Sequence, residues 1–268
     1  MATQPLSDPQ QRPPSTENPK RAPDPDSPAR SWPEHLQSLA STIVIAIFVI
    51  IFVVQAFQIP SGSMENTLLV GDYVLVDKFA YAPRKHWDWL LPYDKLQRGD
   101  IIVFKWPVHP EQHFVKRVIG VPGDRVRLVN GRVFVNGNAL SEDYAVHKFV
   151  NHDVFRDEFP LGRLNSANVT PSWWADIPGF TRNNELVVPQ DSYFVLGDNR
   201  DDSLDSRYWG FVPRENIVGK PLLIYFSMRH FDEEPPLPGA DDKIDRFADR
   251  VRQLPGMARW RRVLRFVK

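Results

Sequence analysis

Residues 126–135 read Val126-Arg-Leu-Val-Asn-Gly-Arg-Val-Phe-Val135, two short runs rich in β-branched side chains around an Asn-Gly pair. A two-residue type I′ turn needs positive φ at both central positions, and Asn130-Gly131 is a pair that adopts it readily. The stretch therefore predicts a β-hairpin, and its strand-turn-strand rhythm is the pattern to look for on either side.

The same rhythm continues through most of the chain. Short β-branched and aromatic runs, bounded by turn residues, occur at residues 73–76, 101–104, 114–121, 193–196 and 222–226. Strands do not alternate with helical segments, which argues against a parallel α/β sheet. The sequence predicts a mostly β domain over residues 58–230. The mixture of Asn, Asp, Pro and Trp between about residues 138 and 188 predicts an irregular insertion on it.

A different composition precedes this domain. Residues 1–35 hold nine of the 25 prolines and few apolar side chains, so they are predicted to form a disordered tail. Residues 36–57 carry no charge, and residues 39–57 would span roughly 28 Å as a helix, close to the thickness of the bilayer hydrocarbon. We predict an uncleaved transmembrane helix over residues 36–57. A buried core helix and a cleaved signal peptide are the alternatives.

The placement of basic residues indicates which way this span points. Lys20, Arg21 and Arg30 precede it, whereas the first basic residue after it is Lys78. Because basic residues are retained on the cytoplasmic side of a membrane, the tail is predicted to be cytoplasmic and the β domain extracytoplasmic.

The end of the chain is strongly basic. Residues 252–268 contain six basic residues and no acidic one, and apolar side chains fall at helical spacing among them: Met257, Trp260, Val263 or Leu264, and Val267. This pattern predicts that the C-terminal tail, residues 231–268, is helical and that its amphipathic end binds a membrane surface. A solvated charged end and a helix packed on the β domain are the alternatives.

Composition excludes several classes of function. The 268 residues include 33 basic and 33 acidic ones, so the global basic footprint of a nucleic-acid-binding protein is absent. Without cysteine, the chain has no disulfide, no thiolate catalysis and no lipoprotein anchor. His109 and His113 lie four apart, but on a strand connection containing Pro110, which does not fit a zinc-binding helix. We expect no nucleic acid, no cofactor and no metal.

Two segments offer a nucleophile and a base. Ile59-Pro-Ser-Gly-Ser-Met-Glu-Asn-Thr-Leu68 permits a tight turn that presents a serine hydroxyl, with a flexible juxtamembrane linker as the alternative. A serine nucleophile needs a base, and none of the seven histidines lies in a recognisable triad motif. Within the apolar run 114–119, Lys116 can lose its proton on burial, whereas Arg117 cannot. An exposed rim carrying both cations is the alternative.

A third segment, residues 197–213, is rich in Asp and Ser. It does not fit a calcium loop, because Arg200 occupies a ligand position and Ser203 stands where the loop needs glycine. We predict instead a network in which aspartates pair with Arg200 and Arg207, while hydroxyls remain free to orient a neighbour.

These three segments, in this order after an apolar span, resemble the type I signal peptidases (bacterial leader peptidases) over about residues 59–218. Pro60-Ser-Gly-Ser-Met64 is similar to the nucleophile box of that family, and residues 71–78 are similar to its next box. Residues 99–107 with 116–124 are similar to the lysine box, and residues 197–213 to the last box. One departure is Asn66, where the family usually has proline.

The resemblance implies a membrane-anchored all-β signal-peptidase-like catalytic core with a β-rich insertion. It implies Ser63 as the nucleophile and Lys116 as the general base. The Ser63 backbone N–H and the Ser61 hydroxyl would form the oxyanion hole.

Three further residues take supporting roles by the same resemblance. Ser203 would hydrogen-bond to the Lys116 amine and orient it. Asp205 and Arg207 would brace the segment that carries Ser203.

The implied function is removal of N-terminal signal peptides from exported preproteins by a membrane-bound serine endopeptidase. Its place would be the outer side of the bacterial cytoplasmic (inner) membrane. Its partners would be preprotein signal peptides and the lipid bilayer, with the export machinery as a further candidate. The alternatives are a membrane-anchored Ser/Lys protease that cuts itself or one regulatory partner, and a non-catalytic domain that binds envelope proteins.

Overall fold

The structure is a computed structural model that describes residues 32–48, 53–81, 95–148, 153–161, 168–229 and 256–267. The chain divides into two compact units, residues 1–46 and residues 47–268. Helix α1 (Trp32–Phe48) begins in the first unit, and all of the described strands belong to the second. Residues 1–31 of the predicted disordered tail lie outside the described residues. The prediction is wrong over residues 32–35, because α1 begins at Trp32.

The larger sheet contains eight strands, and every pairing in it is antiparallel. In spatial order it runs β1 (Val54–Gln58), β2 (Asp72–Asp77), β12 (Ile217–Ser227), β3 (Ile101–Lys105), β4 (His113–Gly120), β10 (Ser192–Leu196) and β11 (Val212–Pro213), and β13 (Arg265–Phe266) pairs with β12. The antiparallel, mostly β prediction is therefore confirmed.

Strand β12 holds the two halves of this sheet together. Its first residues pair with β3, and from Lys220 onward it pairs with β2. The register shifts after Pro221, which has no N–H to donate to the ladder. A Cβ at Gly219 would lie 2.1 Å from the carbonyl oxygen of Asp77, so only glycine permits the close approach of these strands.

The second sheet has five strands, in the order β7 (Asn138–Ala139), β6 (Arg132–Val135), β5 (Arg125–Val129), β9 (Glu185–Val187) and β8 (Thr181–Arg182). Strands β5 and β6 form the predicted hairpin, and Asn130 and Gly131 have φ values of 50° and 73°. The predicted insertion is thus ordered by a sheet of its own, which begins at Arg125 rather than near residue 138.

Helices of the second unit are short. They are α2 (Val154–Asp157), α3 (Pro171–Phe180) and α4 (Ser206–Trp209). Helix α3 buries Trp173 and Ile177 against the second sheet, in a cluster with Val126 and Leu128. That burial explains the apolar residues within a stretch that otherwise looks irregular in sequence.

Alternate residues of β3 enter different cores, as expected for a strand covered on both faces. Ile102 and Phe104 pack in one cluster, whereas Ile101 and Val103 pack in another. The second of these clusters also contains Ile59, Met64 and Leu68, which flank the predicted nucleophile. The nucleophile segment is therefore fixed to one face of the larger sheet.

The predicted helix over residues 36–57 is wrong at its C-terminal end. Val54–Gln58 forms β1, which pairs with β2 over five residue pairs. An uninterrupted apolar run does not distinguish a helix from a strand, and here pairing with β2 satisfies the backbone. Residues 49–52 lie outside the described residues. Among the helices that the structure describes, none has both the length and the apolar character needed to cross a bilayer.

The predicted C-terminal helix is wrong over residues 258–267, whereas Gly256 and Met257 are helical. A 3₁₀ turn at Trp260–Arg262 is followed by β13, and Leu264 between them has φ of 61°, which an α-helix does not allow. The segment is held by Arg262, whose Nε donates to the buried carboxylate of Asp72 at 3.1 Å. Residues 230–255 lie outside the described ranges.

Candidate active site

The predicted nucleophile lies on a turn that leaves the larger sheet after β1. Pairing with β2 continues to Ile59, whose N–H donates to the Asp72 carbonyl oxygen at 2.8 Å. The chain then forms a 3₁₀ turn at Gly62–Met64. Ser63 is the second residue of this turn, so its N–H has no acceptor within the turn. The buried side chains of Met64 and Leu68 hold the turn against the core.

Asn66 gives this turn a conformation that proline cannot adopt. Its φ is 87°, whereas the proline ring fixes φ near −65°. Asparagine tolerates the left-handed region better than most residues. The departure from the family pattern therefore changes the backbone here as well as its stiffness.

Lys116 lies in β4 and points at the nucleophile turn. Its Nζ donates to the Ser63 Oγ at 2.6 Å, and both side chains are buried. The ring of Phe114, two residues away on the same face, lies 5.2 Å from Nζ. The alternative of an exposed cationic rim is wrong, because Lys116 is 4% exposed and Arg117 is 5% exposed.

Burial changes the chemistry of this lysine. Removal from water lowers the pKa of Lys116 to about 8, because a dry site disfavours the ammonium form. The carboxylates of Asp205 and Asp198 oppose the shift, and the guanidinium of Arg207 adds to it. The amine is therefore neutral in a large fraction of molecules at mildly alkaline pH, and a neutral amine can accept a proton.

Ser61 lies beside the predicted nucleophile. The two hydroxyl oxygens, Ser61 Oγ and Ser63 Oγ, are 3.5 Å apart. The Ser61 hydroxyl and the Ser63 N–H thus lie on one short turn, the pair of donors that the oxyanion-hole prediction requires.

Asp205 and Arg207 form a buried ion pair. Arg207 donates from Nε and Nη2 to the two carboxylate oxygens of Asp205 at 2.9 and 2.8 Å. Burial would raise the pKa of Asp205, but Arg207 and the Gly197 N–H hold that pKa below its usual value. Arg207 also donates to the Arg200 carbonyl oxygen at 2.7 Å. Arg207 thus connects Asp205 to the backbone at Arg200, and the bracing role of this pair stays a prediction.

Ser203 makes no hydrogen bond to Lys116 in this structure. Its Oγ is buried, and the hydroxyl lies close enough to the Asp205 carboxylate to help lower the pKa of that group. Ser203 lies close to the nucleophile turn, because a Cβ at Gly197 would be 2.2 Å from the Ser203 Oγ and 2.5 Å from the Ser63 carbonyl oxygen. Its predicted orienting role stays a prediction.

The site opens onto a groove of about 540 Å³. Ser61, Ser63 and Lys116 contribute to its wall, together with apolar side chains and a few polar ones: Phe57, Gln58, Ile59, Pro60, Met64, Val103, Gln112, His113, Phe114, Val115, Asp202 and Leu204. Burial lowers the pKa of His113, so its ring is neutral at neutral pH.

Sequence reasoning missed residues that act through distant contacts. Asp198 is fully buried and accepts two hydrogen bonds from Arg117 at 2.8 Å, from Nε and Nη2. Gly197 provides the room in which the nucleophile turn meets residues 197–203. Both were visible in sequence only as members of an acidic, serine-rich run, and nothing in their spacing indicated their partners.

Comparisons with known proteins identify the family of this chain. The profile of the family described as "Signal peptidase, peptidase S26" matches residues 32–226. Signal peptidase I of Buchnera aphidicola subsp. Acyrthosiphon pisum is 36% identical over 250 residues, covering 75% of this chain and 78% of that protein. Signal peptidase I of Aquifex aeolicus is 37% identical over 216 residues, covering 69% and 80%. A crystal structure of a signal peptidase I from Enterococcus faecalis is 34% identical and covers 47% of this chain and 97% of its own, with a TM-score of 0.31. By the profile match and the two relatives, the chain belongs to the signal peptidase S26 family and is a serine endopeptidase.

Proposed function

We propose that this endopeptidase removes N-terminal signal peptides from exported preproteins, with Ser63 as nucleophile and Lys116 as general base. One observation carries the proposal: the Lys116 Nζ lies 2.6 Å from the Ser63 Oγ in a buried site that opens onto an apolar groove. A serine next to a desolvated amine is an activated nucleophile that needs no histidine.

The reaction follows from these positions. The neutral Lys116 amine takes the Ser63 hydroxyl proton as Oγ attacks the scissile carbonyl carbon. The Ser63 N–H and the Ser61 hydroxyl donate to the oxyanion that develops. The Lys116 ammonium then gives its proton to the leaving amine nitrogen, and the mature protein departs. Lys116 next takes a proton from water, which attacks the Ser63 ester. The Lys116 ammonium returns this proton to the Ser63 Oγ as the ester breaks, and the signal peptide leaves with a free carboxylate.

The test is cleavage of a purified preprotein with Ala-x-Ala before its cleavage site, by the full chain in detergent. We expect a single cut after the second Ala, identified by the N-terminal sequence of the product. A chain that cuts itself at a defined bond, but leaves this preprotein intact, would favour the self-cleaving alternative. Folded protein that cuts neither would favour the envelope-binding alternative.

Ser61→Ala tests the oxyanion hole. We expect kcat to fall by about 10²- to 10³-fold with KM nearly unchanged, because the hydroxyl acts on charge that exists only in the transition state. Ser61→Thr retains a hydroxyl and is the matched control. We expect its kcat to stay close to that of wild type. Equal kcat values for wild type and Ser61→Ala would remove Ser61 from the oxyanion hole.

We also propose that the chain is anchored in the bacterial cytoplasmic membrane by the apolar segment before Val54, with the catalytic unit outside. The apolar side chains of Leu39 and Val44 on α1 are exposed, as expected for side chains that face lipid. Tethering enzyme and signal peptide in one bilayer raises their effective concentration. The bilayer and preproteins are the proposed partners, and the export machinery is a further one.

Residues 260–266 are proposed as a second membrane contact, although they do not form an α-helix. Trp260, Leu264 and Phe266 are 62%, 67% and 69% exposed, and Arg261 and Arg265 lie between them in sequence. Aromatic and basic side chains together favour the interface of an anionic bilayer.

Brominated lipids would report this contact in the full chain. We expect Trp260→Phe to remove a measurable fraction of the quenching of tryptophan fluorescence by lipids brominated near the headgroup. Trp174→Phe is the matched control. Trp174 is exposed on α3, which packs against the second sheet, and it should not contribute to the quenching. Identical quenching of wild type and Trp260→Phe would argue against docking.

A further inference from the structure

The segment 142–148 crosses over residues 198–201 as a strap. The Val146 N–H donates to the Asp198 carbonyl oxygen at 2.7 Å, and the Arg200 N–H donates to the Val146 carbonyl oxygen at 2.9 Å. Residues 198–201 also contact the nucleophile turn, because the Asn199 N–H donates to the Ser63 carbonyl oxygen at 3.1 Å. Residues 198–200 are thus held between the strap and the nucleophile turn.

Two ion pairs fasten the ends of the strap. Glu142 pairs with Arg200, which is 2% exposed, and Lys148 pairs with Glu65 of the nucleophile turn. Between them, Tyr144 donates its hydroxyl to the Glu142 Oε1 at 3.1 Å. Burial raises the pKa of Tyr144, so it remains a neutral phenol throughout the working pH range.

The guanidinium of Arg117, which pairs with Asp198, lies over the ring of Tyr144. The guanidinium carbon of Arg117 is 4.0 Å from the ring centroid. On its edges, Arg117 donates to both oxygens of Asp198 and to the Gly99 carbonyl oxygen, at 2.8 Å each. Contact with the face of the ring favours the charged guanidinium. It also keeps water away from the Arg117–Asp198 pair, whose charges water would otherwise screen.

This pair lies next to the proposed base. Arg117 follows Lys116 in β4, and the charged groups that act on the Lys116 amine are Asp198, Asp202, Asp205 and Arg207, all on residues 198–207. Asp198 favours the ammonium form of Lys116, and the Arg117 guanidinium, bound to both oxygens of that carboxylate, is a positive charge that opposes this effect. Freeing the guanidinium to turn toward water would leave a buried negative charge facing Lys116.

We propose that Tyr144 is a positioning residue for the hydrolytic reaction, which by covering the Arg117–Asp198 pair keeps Lys116 in its proton-accepting state. The inference rests on the proposed role of Lys116 as base. It assigns to the strap a part in catalysis although no strap residue lines the groove.

The experiment compares pH–rate profiles of kcat/KM for wild type, Tyr144→Phe and Tyr144→Leu on the Ala-x-Ala preprotein. Tyr144→Phe keeps the stack and should match wild type. Tyr144→Leu should raise the midpoint of the acid limb by about 0.5–1 unit, which lowers kcat/KM at pH 7 by about three- to tenfold. The loss should disappear above the shifted midpoint.

A uniform loss at every pH, or no loss at all, would overturn the inference, because a merely structural residue does not move the midpoint. Tyr225→Leu, which removes a half-buried ring on β12, is the control for general destabilisation. If Tyr144→Leu does not fold, Tyr144→Met preserves apolar volume without a ring and gives the same test. An acid limb missing from wild type itself would instead overturn the assignment of Lys116 as base.

Discussion

Replacing Ser63 with Ala is expected to lower kcat by at least about 10⁴-fold, to the level at which the preprotein is hydrolysed without a covalent intermediate. The hydroxyl oxygen is the only non-hydrogen atom lost, and the surrounding turn is fixed by the backbone and by Met64 and Leu68 rather than by this oxygen. Binding of the preprotein should persist, because the groove is unchanged. Single-turnover cleavage and preprotein binding, measured on the same preparation, separate the two effects.

Ser172→Ala is the matched control, since Ser172 is an exposed serine on α3, outside the groove. It should cleave at the wild-type rate. Cleavage by Ser63→Ala within tenfold of wild type would show that another group attacks the carbonyl. The proposal would then lose its nucleophile while the family assignment remained.

Local patterns drew attention to the segments that carry Ser63 and Lys116, and the resemblance to the signal peptidases implied their roles as nucleophile and base. Ser63 lies in a short run of small and hydroxyl residues, and Lys116 is a cation within an apolar strand. Strand β4 forces that cation into the interior through pairing with β3 and β10. Alternation along the strand then determines which of the two cations faces the nucleophile turn.

The two errors in secondary structure have a common cause. Residues 54–57 and 258–267 are predicted to be helical from apolar content and spacing, yet each stretch contains residues of a strand that pairs within the larger sheet, β1 with β2 and β13 with β12. Periodicity describes only local sequence, so a helix and a strand with the same apolar residues differ by partners that the pattern does not contain.

Partners across long sequence separations were likewise hidden. Arg262 reaches Asp72, Arg117 reaches Asp198, and Tyr144 covers Arg117. In the sequence, nothing distinguishes these residues from the other basic, acidic and aromatic residues. Their identities become informative only after the antiparallel order of the larger sheet brings β2, β4 and β12 into one layer.

Replacing Lys116 with Met should abolish cleavage, with a loss of at least about 10⁴-fold at every pH, because no other base touches the Ser63 hydroxyl among the described residues. In wild type, kcat/KM should rise with pH and level off above about 8, since the pKa of Lys116 is lowered to about 8 by burial and only the neutral amine accepts the proton. Lys116→Arg should be as inactive as Lys116→Met, because arginine stays protonated.

Replacing Lys116 with Met should abolish activity but increase the stability of the fold at pH 7. The pKa of Lys116 falls from 10.5 when unfolded to about 8 in the native protein, so the unfolded chain binds more protons between these values and wild-type stability rises with pH in that window. Below pH 8 the native ammonium costs up to about 3 kcal/mol of stability, which Lys116→Met avoids. Urea unfolding should therefore find Lys116→Met more stable than wild type at pH 7, with the difference shrinking toward pH 10. Lys105→Met, at the exposed end of β3, should show neither effect. A Lys116→Met protein that is less stable than wild type at pH 7, and that still cleaves, would mean that Lys116 supports the fold and not the chemistry.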